Sequence, residues 1–101
     1  MDTENQDEKL VRKFNKYISK IKKINNIYNN DKLYLYSYYK QALFGDNDNE
    51  QPSMLNRVET EKWKAWNNVK NTSKEDSMKF YINKVKELYM IQELETSKTT
   101  K

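Results

Sequence analysis

The chain of 101 residues contains no cysteine and no histidine. The first absence excludes disulfides and cysteine-based zinc sites; the second removes a common metal ligand and the usual general base at neutral pH. There is one glycine and one proline, and no long alternation of Val, Ile and Thr, so strands joined by tight turns are disfavoured and helices favoured. No run of roughly eighteen apolar residues is present, as a membrane-spanning helix requires. The opening Met1-Asp2-Thr3-Glu4 is acidic and apolar-poor, unlike a signal peptide. The expectation is a cytoplasmic protein without stable membrane insertion. Its length accommodates one domain with one modest core.

Charge is plentiful and unevenly placed. Nineteen bases against fifteen acids give a net charge of +4. Residues 1–8 hold four acids and no base, whereas residues 9–40 hold nine bases and the lone acid Asp31. A basic half of this kind fits an anionic partner, or simply lysines solvating helix faces.

Apolar residues recur with helical period in four segments. In the first, Leu10, Val11, Phe14, Tyr17, Ile18, Ile21 and Ile24 share one side after an acidic start that suits the helix dipole. This helix is expected to end in the asparagine-rich stretch Asn25 to Asn30. Asp31 is the expected N-cap of a second helix that stops at Gly45. A third covers about Val58 to Lys70, with Asn71 standing in for a terminal glycine. Thr72 and Ser73, followed by Glu75 and Asp76, offer a capping box for a fourth, with Met78, Tyr81, Ile82, Val85, Leu88 and Tyr89 as its apolar face. The expected domain is 1–101, with a core about 9–90 and frayed ends at 1–8 and 95–101.

No catalytic constellation is visible: no serine has a histidine to activate it. The loop with Asp46, Asp48 and Glu50 begins like a calcium loop. It has Gln51 where the turn glycine belongs and Arg57 where the closing glutamate belongs, so it reads as solvated, with no metal.

The second helix departs from simple amphipathicity. At 100° per residue, Leu35, Tyr38, Tyr39 and Ala42 form one stripe while Leu33, Tyr36 and Phe44 lie opposite, with Lys40 in the middle of the second stripe. Tyr36 and Lys40 are i, i+4 neighbours. The third helix repeats the pattern, with Lys62 between Val58 and Trp66. A lysine framed by apolar surface can snorkel to water, or it can form part of a groove that takes a greasy or planar group beside phosphates.

These residues carry a resemblance. "LYSYYKQALFGD" at Leu35 to Asp46, Pro52 with Met54 and Leu55 after it, "KWKAW" at Lys62 to Trp66, and "TSKEDSMKFYINKV" at Thr72 to Val85 stand in the order and spacing of the acyl-CoA-binding protein family. The likeness covers roughly Phe14 to Leu88. It implies an all-α, four-helix, up-down-down-up bundle that binds long-chain acyl-CoA esters and serves as an intracellular carrier and pool former in lipid metabolism. It further implies a monomer, no enzymatic activity, no cofactor besides the ligand itself, and no nucleic-acid partner.

Carried over by position, the implied ligand contacts are Tyr36, Tyr39, Lys40, Lys62 and Tyr81. Lys40 would meet the 3'-phosphate with the Tyr36 hydroxyl, Lys62 would serve the same phosphate-rich head, and Tyr39 and Tyr81 would wall the adenine. Lys22 adds charge. Trp63 and Trp66 are expected to pack helices rather than touch ligand. Tyr17 and Ile18 replace two alanines common in the family near the ligand, and Val58, Glu59 and Glu61 replace basic or small residues. Tyr17 is expected to narrow the acyl-chain site. Two other classes compete: a nucleic-acid binder using rings and lysines, and a helical module whose two-sided second helix docks a protein.

Overall fold

The first helix begins as its capping chemistry dictates. Asn5 Oδ1 accepts the Glu8 backbone N–H at 2.8 Å, and Asp7 and Glu8 lie in the first turn, where negative charge meets the positive end of the dipole. The computed structural model describes residues 4–99. Helix α1 spans Gln6–Lys20 and tightens into a 3-10 turn at Ile21–Lys23; α2 spans Asn29–Phe44, α3 Arg57–Asn67 and α4 Lys74–Thr99, with no strand among the described residues.

α1 ends earlier than its apolar pattern predicts. The Tyr89 hydroxyl donates to the Lys20 carbonyl at 3.1 Å, satisfying a helix-terminal acceptor, and Gln92 Oε1 accepts the Asn25 N–H at 2.8 Å. Asn26, at φ 57°, then turns the chain toward α2. Asp31 is not the N-cap of α2. The helix starts three residues sooner, after Tyr28, with no side-chain cap. Asp31 sits in the first turn, 3.5 Å from Lys84 Nζ, which also contacts Glu87 at 2.6 Å. A cross-bundle ion pair has claimed the carboxylate.

α2 packs against α4 on one side and α3 on the other, while α1 lies on α4. That position explains why α2 is apolar on two sides. Its Leu35 and Ala42 join Phe14, Tyr81, Ile82, Val85 and Leu88 in the core, and Leu10, Ile18, Ile21, Tyr38, Tyr39 and Met78 pack around them. Val11, expected on the same stripe of α1, is exposed instead.

Gly45 ends α2 at φ 79° and ψ −151°, a region essentially confined to glycine and distinct from the left-handed helical turn expected there. An added Cβ would meet only Lys74 Cε, at 3.9 Å, so conformation rather than space demands glycine. The loop that follows is tied down, and is not merely solvated. Asp46 Oδ1 accepts from Gln41 Nε2 and from the Asn71 N–H, each at 2.8 Å, and Asn47 is buried with its amide on the Trp63 carbonyl at 3.3 Å. Asn71 has the positive φ, 72°, expected of it, although α3 closes at Asn67. Ser73 Oγ accepts the Asp76 N–H at 3.0 Å, the expected cap of α4.

α4 passes Leu94, where fraying was expected, and stays helical to Thr99. Beyond Gln92, which is tied to Asn25, Thr96 Oγ1 donates to the Gln92 carbonyl at 2.9 Å and adds a side-chain bond to the last turns. At the other end Gln6–Glu8 are already helical. Of the other residues expected to fray, Glu4 and Asn5 precede the helix, Asn5 as its cap, and 1–3 and 100–101 lie outside the described residues.

Candidate functional site

The faces of α2 and α3 that do not meet the core enclose an open groove of about 440 Å³, lined by Leu33, Tyr36 and Val58 with Lys32, Arg57, Lys62, Asn29 and Glu61 around them. Helical spacing puts them there. Lys32 and Tyr36 are i, i+4 neighbours on α2, and Val58 and Lys62 are i, i+4 neighbours on α3; Lys40, one turn beyond Tyr36, lies outside the lining. Val58 is 67 % exposed, so part of the groove is apolar surface open to water.

Tyr36 is the centre of the arrangement. The Lys62 ammonium lies 5.1 Å from its ring centroid and the Lys40 ammonium 5.9 Å away. Lys40 also lies 4.6 Å from the Phe44 ring and 5.0 Å from the Trp66 ring. Three aromatic faces thus hold one ammonium in place through their quadrupoles. Lys62 meets Glu59 at 3.7 Å, an exposed i, i+3 pair of the kind that contributes little net energy.

Trp66 combines two roles that the sequence reading separated. Its indole N–H donates to the Gly45 carbonyl at 2.9 Å and to Gln41 Oε1 at 3.2 Å, and its ring supports Lys40. Trp63 binds the loop, its N–H donating to the Asn49 carbonyl at 2.8 Å. Gln41 was not singled out in the sequence. It is fully buried, and its Nε2 joins Asp46 to the Thr72 carbonyl, at 2.8 and 2.9 Å, so it fixes the turn on which Lys40 and Phe44 depend.

Tyr39 and Tyr81 form a second aromatic group with Phe14. Phe14 and Tyr81 meet edge to face at 5.2 Å, and each lies 6.4 Å from Tyr39. Tyr81 is only 5 % exposed, and burial, followed by the neighbouring Tyr39, pushes its hydroxyl up to about 12. Of the residues expected at the site, Tyr36 and Lys62 line the groove, whereas Lys40, Tyr39, Tyr81, Tyr17, Ile18 and Lys22 do not. Tyr17 and Ile18 pack on the core, Tyr17 between Lys20 and Lys86, while Lys22 is exposed in the 3-10 turn.

The residues missed from the sequence are Lys32 and Arg57. The signal for Lys32 was present, since it precedes Tyr36 by the same four residues by which Lys40 follows it. Arg57, at the closing position of the calcium-like loop, is the first residue of α3 and borders the groove. Among the described residues no group of carboxylates could hold a metal ion. Nor is any helix long and apolar enough to cross a membrane.

The fold and the groove define a small all-α domain with a cation-rimmed apolar cleft. A family model described as Acyl CoA binding protein matches residues 11–85, from α1 into α4, and the chain belongs to the acyl-CoA-binding protein family. Acyl-CoA-binding domain-containing protein 3 of rice is 41% identical over 80 residues, 78% of this chain and 52% of that protein. The acyl-CoA-binding protein of Saccharomyces cerevisiae is 50% identical over 56 residues, 55% of this chain and 64% of that one. The chain therefore spans between half and two thirds of those relatives. The crystal structure of Oryza sativa Acyl-CoA-Binding Protein 2 superposes with a TM-score of 0.81 at 39% identity, covering 83% of this chain and 92% of that one. These likenesses establish the all-α family fold anticipated from the sequence motifs.

Proposed function

We propose that the chain binds long-chain fatty acyl-CoA esters in the groove between α2 and α3 and carries them, as a monomeric cytoplasmic carrier and pool former in lipid metabolism, without catalysing a reaction. The observation that carries this reading is the pairing of Lys40 and Lys62 across the Tyr36 ring beside the groove of about 440 Å³. The lysines suit phosphates, the rings suit a planar base, and Leu33 and Val58 offer surface to the acyl chain. Family membership supports the ligand class.

Lys40 takes the 3'-phosphate with the Tyr36 hydroxyl, and Lys62 joins from α3. Lys32 and Arg57 extend the positive rim. Tyr39 and Tyr81 border the adenine from the core side, Tyr81 as a wall rather than an exposed donor, given its burial. Tyr17 and Ile18 are assigned to packing, and Lys22 to long-range attraction.

Titration calorimetry with palmitoyl-CoA, CoA, palmitate and a single-stranded oligonucleotide tests the proposal. Each buried methylene contributes up to about 0.8 kcal/mol and the head group fixes orientation, so palmitoyl-CoA should bind far more tightly than CoA, palmitate or the oligonucleotide. Equal affinities for CoA and palmitoyl-CoA would sink the carrier reading, and preferential oligonucleotide binding would replace it.

A further inference from the structure

Where α1 meets α4 a second tyrosine gathers lysines. Lys20 lies 5.0 Å and Lys86 5.8 Å from the Tyr17 ring centroid, and Lys20 also lies 5.7 Å from Tyr89 on α4. Lys13 and Lys16 border an adjoining shallow depression of about 280 Å³ that Tyr17 also lines and no carboxylate does. We infer that this α1–α4 face carries a phosphate-recognition site, separate from the acyl-CoA groove, in which Lys13, Lys16, Lys20 and Lys86 gather round Tyr17 to take a phosphate monoester.

Several observations support this inference. Lys13 is held below the ordinary lysine value, first by side-chain contact with Lys86 and then by the charge of Lys86, by desolvation and by Lys16, so these cations stand close together. Acids on the same side lie outside the depression that Tyr17 lines. Glu4 pairs with Arg12 at 2.6 Å, and Asp7 and Glu75 lie with Lys9 and Lys79 in a neighbouring depression that Lys13 borders as well. Tyr17 is packed on the core and Tyr89 is bonded to Lys20 through its hydroxyl, which gives Lys20 and Lys86 a fixed platform. A phosphate monoester brings close to two negative charges and three acceptor oxygens, whereas a carboxylate brings one charge and two oxygens; lysines bind such a group as point charges. The site does not depend on the acyl-CoA groove and would stand if that reading failed.

The monoester could be free in solution or displayed on a lipid headgroup, and two arms distinguish these. In the first, inorganic phosphate is titrated into the full chain at constant ionic strength, set with sodium chloride, while backbone amide NMR signals are followed. In the second, the chain is sedimented with phosphatidylcholine vesicles that do or do not contain phosphatidic acid. Both are repeated with Lys13→Gln/Lys86→Gln, exposed positions at which melting should not change, and with Lys40→Ala as a groove control. Saturable shifts at Lys13, Tyr17 and Lys86, or retention that needs phosphatidic acid, would support the site if the double variant weakens it about tenfold or more, the equivalent of one charged hydrogen bond, while Lys40→Ala does not. The arm that responds names the source. No response in either arm, or equal responses from the wild type and the double variant, would overturn the inference.

Discussion

Tyr36 with Lys40 and Lys62, and Tyr17 with Lys20 and Lys86, are built from the same side chains at similar distances. What separates the two faces is what lies beside the ring. Around Tyr36, α2 and α3 diverge above exposed apolar groups and leave a groove; around Tyr17, the ring settles on the core and the lysines stand over a depression bordered by polar side chains. A lysine held over aromatic rings becomes a candidate for an amphiphilic ligand only where apolar surface remains unburied beside it. Where that surface is already buried, the same pair can offer charge alone.

The largest expected effect lies where the groove side depends on the core. Trp66→Ala removes a buried indole, two hydrogen bonds into the Gly45 turn and one of the rings under Lys40. It should cost roughly 3 to 5 kcal/mol of stability, the range for large aromatic truncations, and weaken palmitoyl-CoA binding as well. Denaturant melts alongside calorimetry check this, and intact binding in a strongly destabilised variant would break the link between Trp66 and Lys40.

Lys40→Ala should separate binding from folding. A hydrogen bond to a charged group is worth on the order of 1.5 to 3 kcal/mol of affinity, whereas the cation–π contacts it loses are worth about 0.5 to 1 kcal/mol each at an accessible site. Even with the three contacts adding in full, the loss of stability should not exceed the loss of affinity. If melting fell and affinity held, Lys40 would be a snorkelling lysine and the two faces would be alike after all.

Tyr17→Ala tests the other face. Tyr17 is half-buried against the core, so the change should cost roughly 1.5 to 3 kcal/mol of stability and leave the preference among acyl chain lengths unaltered. A shift of that preference toward longer chains would return Tyr17 to the ligand site, the role expected of it from the sequence.

The smallest effect concerns pH. The Asn71 N–H, and after it the Gln41 amide, hold the Asp46 carboxyl below the ordinary value of 3.8. A depressed folded-state value means that the stability this group adds is complete above the ordinary value and is lost as pH falls through the lower one. Acidification below about pH 4 should thus cost the wild type more stability than it costs Asp46→Asn. Parallel acid melts would show that the carboxylate adds nothing at that turn.

What the sequence made legible was local. The two-sidedness of α2, the break at Gly45, the reversal at Asn71 and the Tyr36–Lys40 neighbourhood all follow from spacing within one helix or one turn. The contacts that escaped it join residues far apart in the chain. Asp31 left its capping role for Lys84, α1 stopped where Tyr89 and Gln92 receive its end, and Gln41 became the buried link between the Asp46 loop and Thr72. A polar residue among apolar neighbours gives no sign of which distant backbone group it will satisfy. For the same reason Tyr17 stood at the centre of an apolar stripe without showing which partner helix would cover it.

Residue-resolved amide NMR of the full chain titrated with palmitoyl-CoA tests the central claim most directly, because it reads both faces at once. The largest shifts should fall on Tyr36, Lys40, Val58 and Lys62, with Lys13, Tyr17 and Lys86 little changed. Largest shifts at Lys13, Tyr17 and Lys86, with the α2–α3 groove silent, would contradict it.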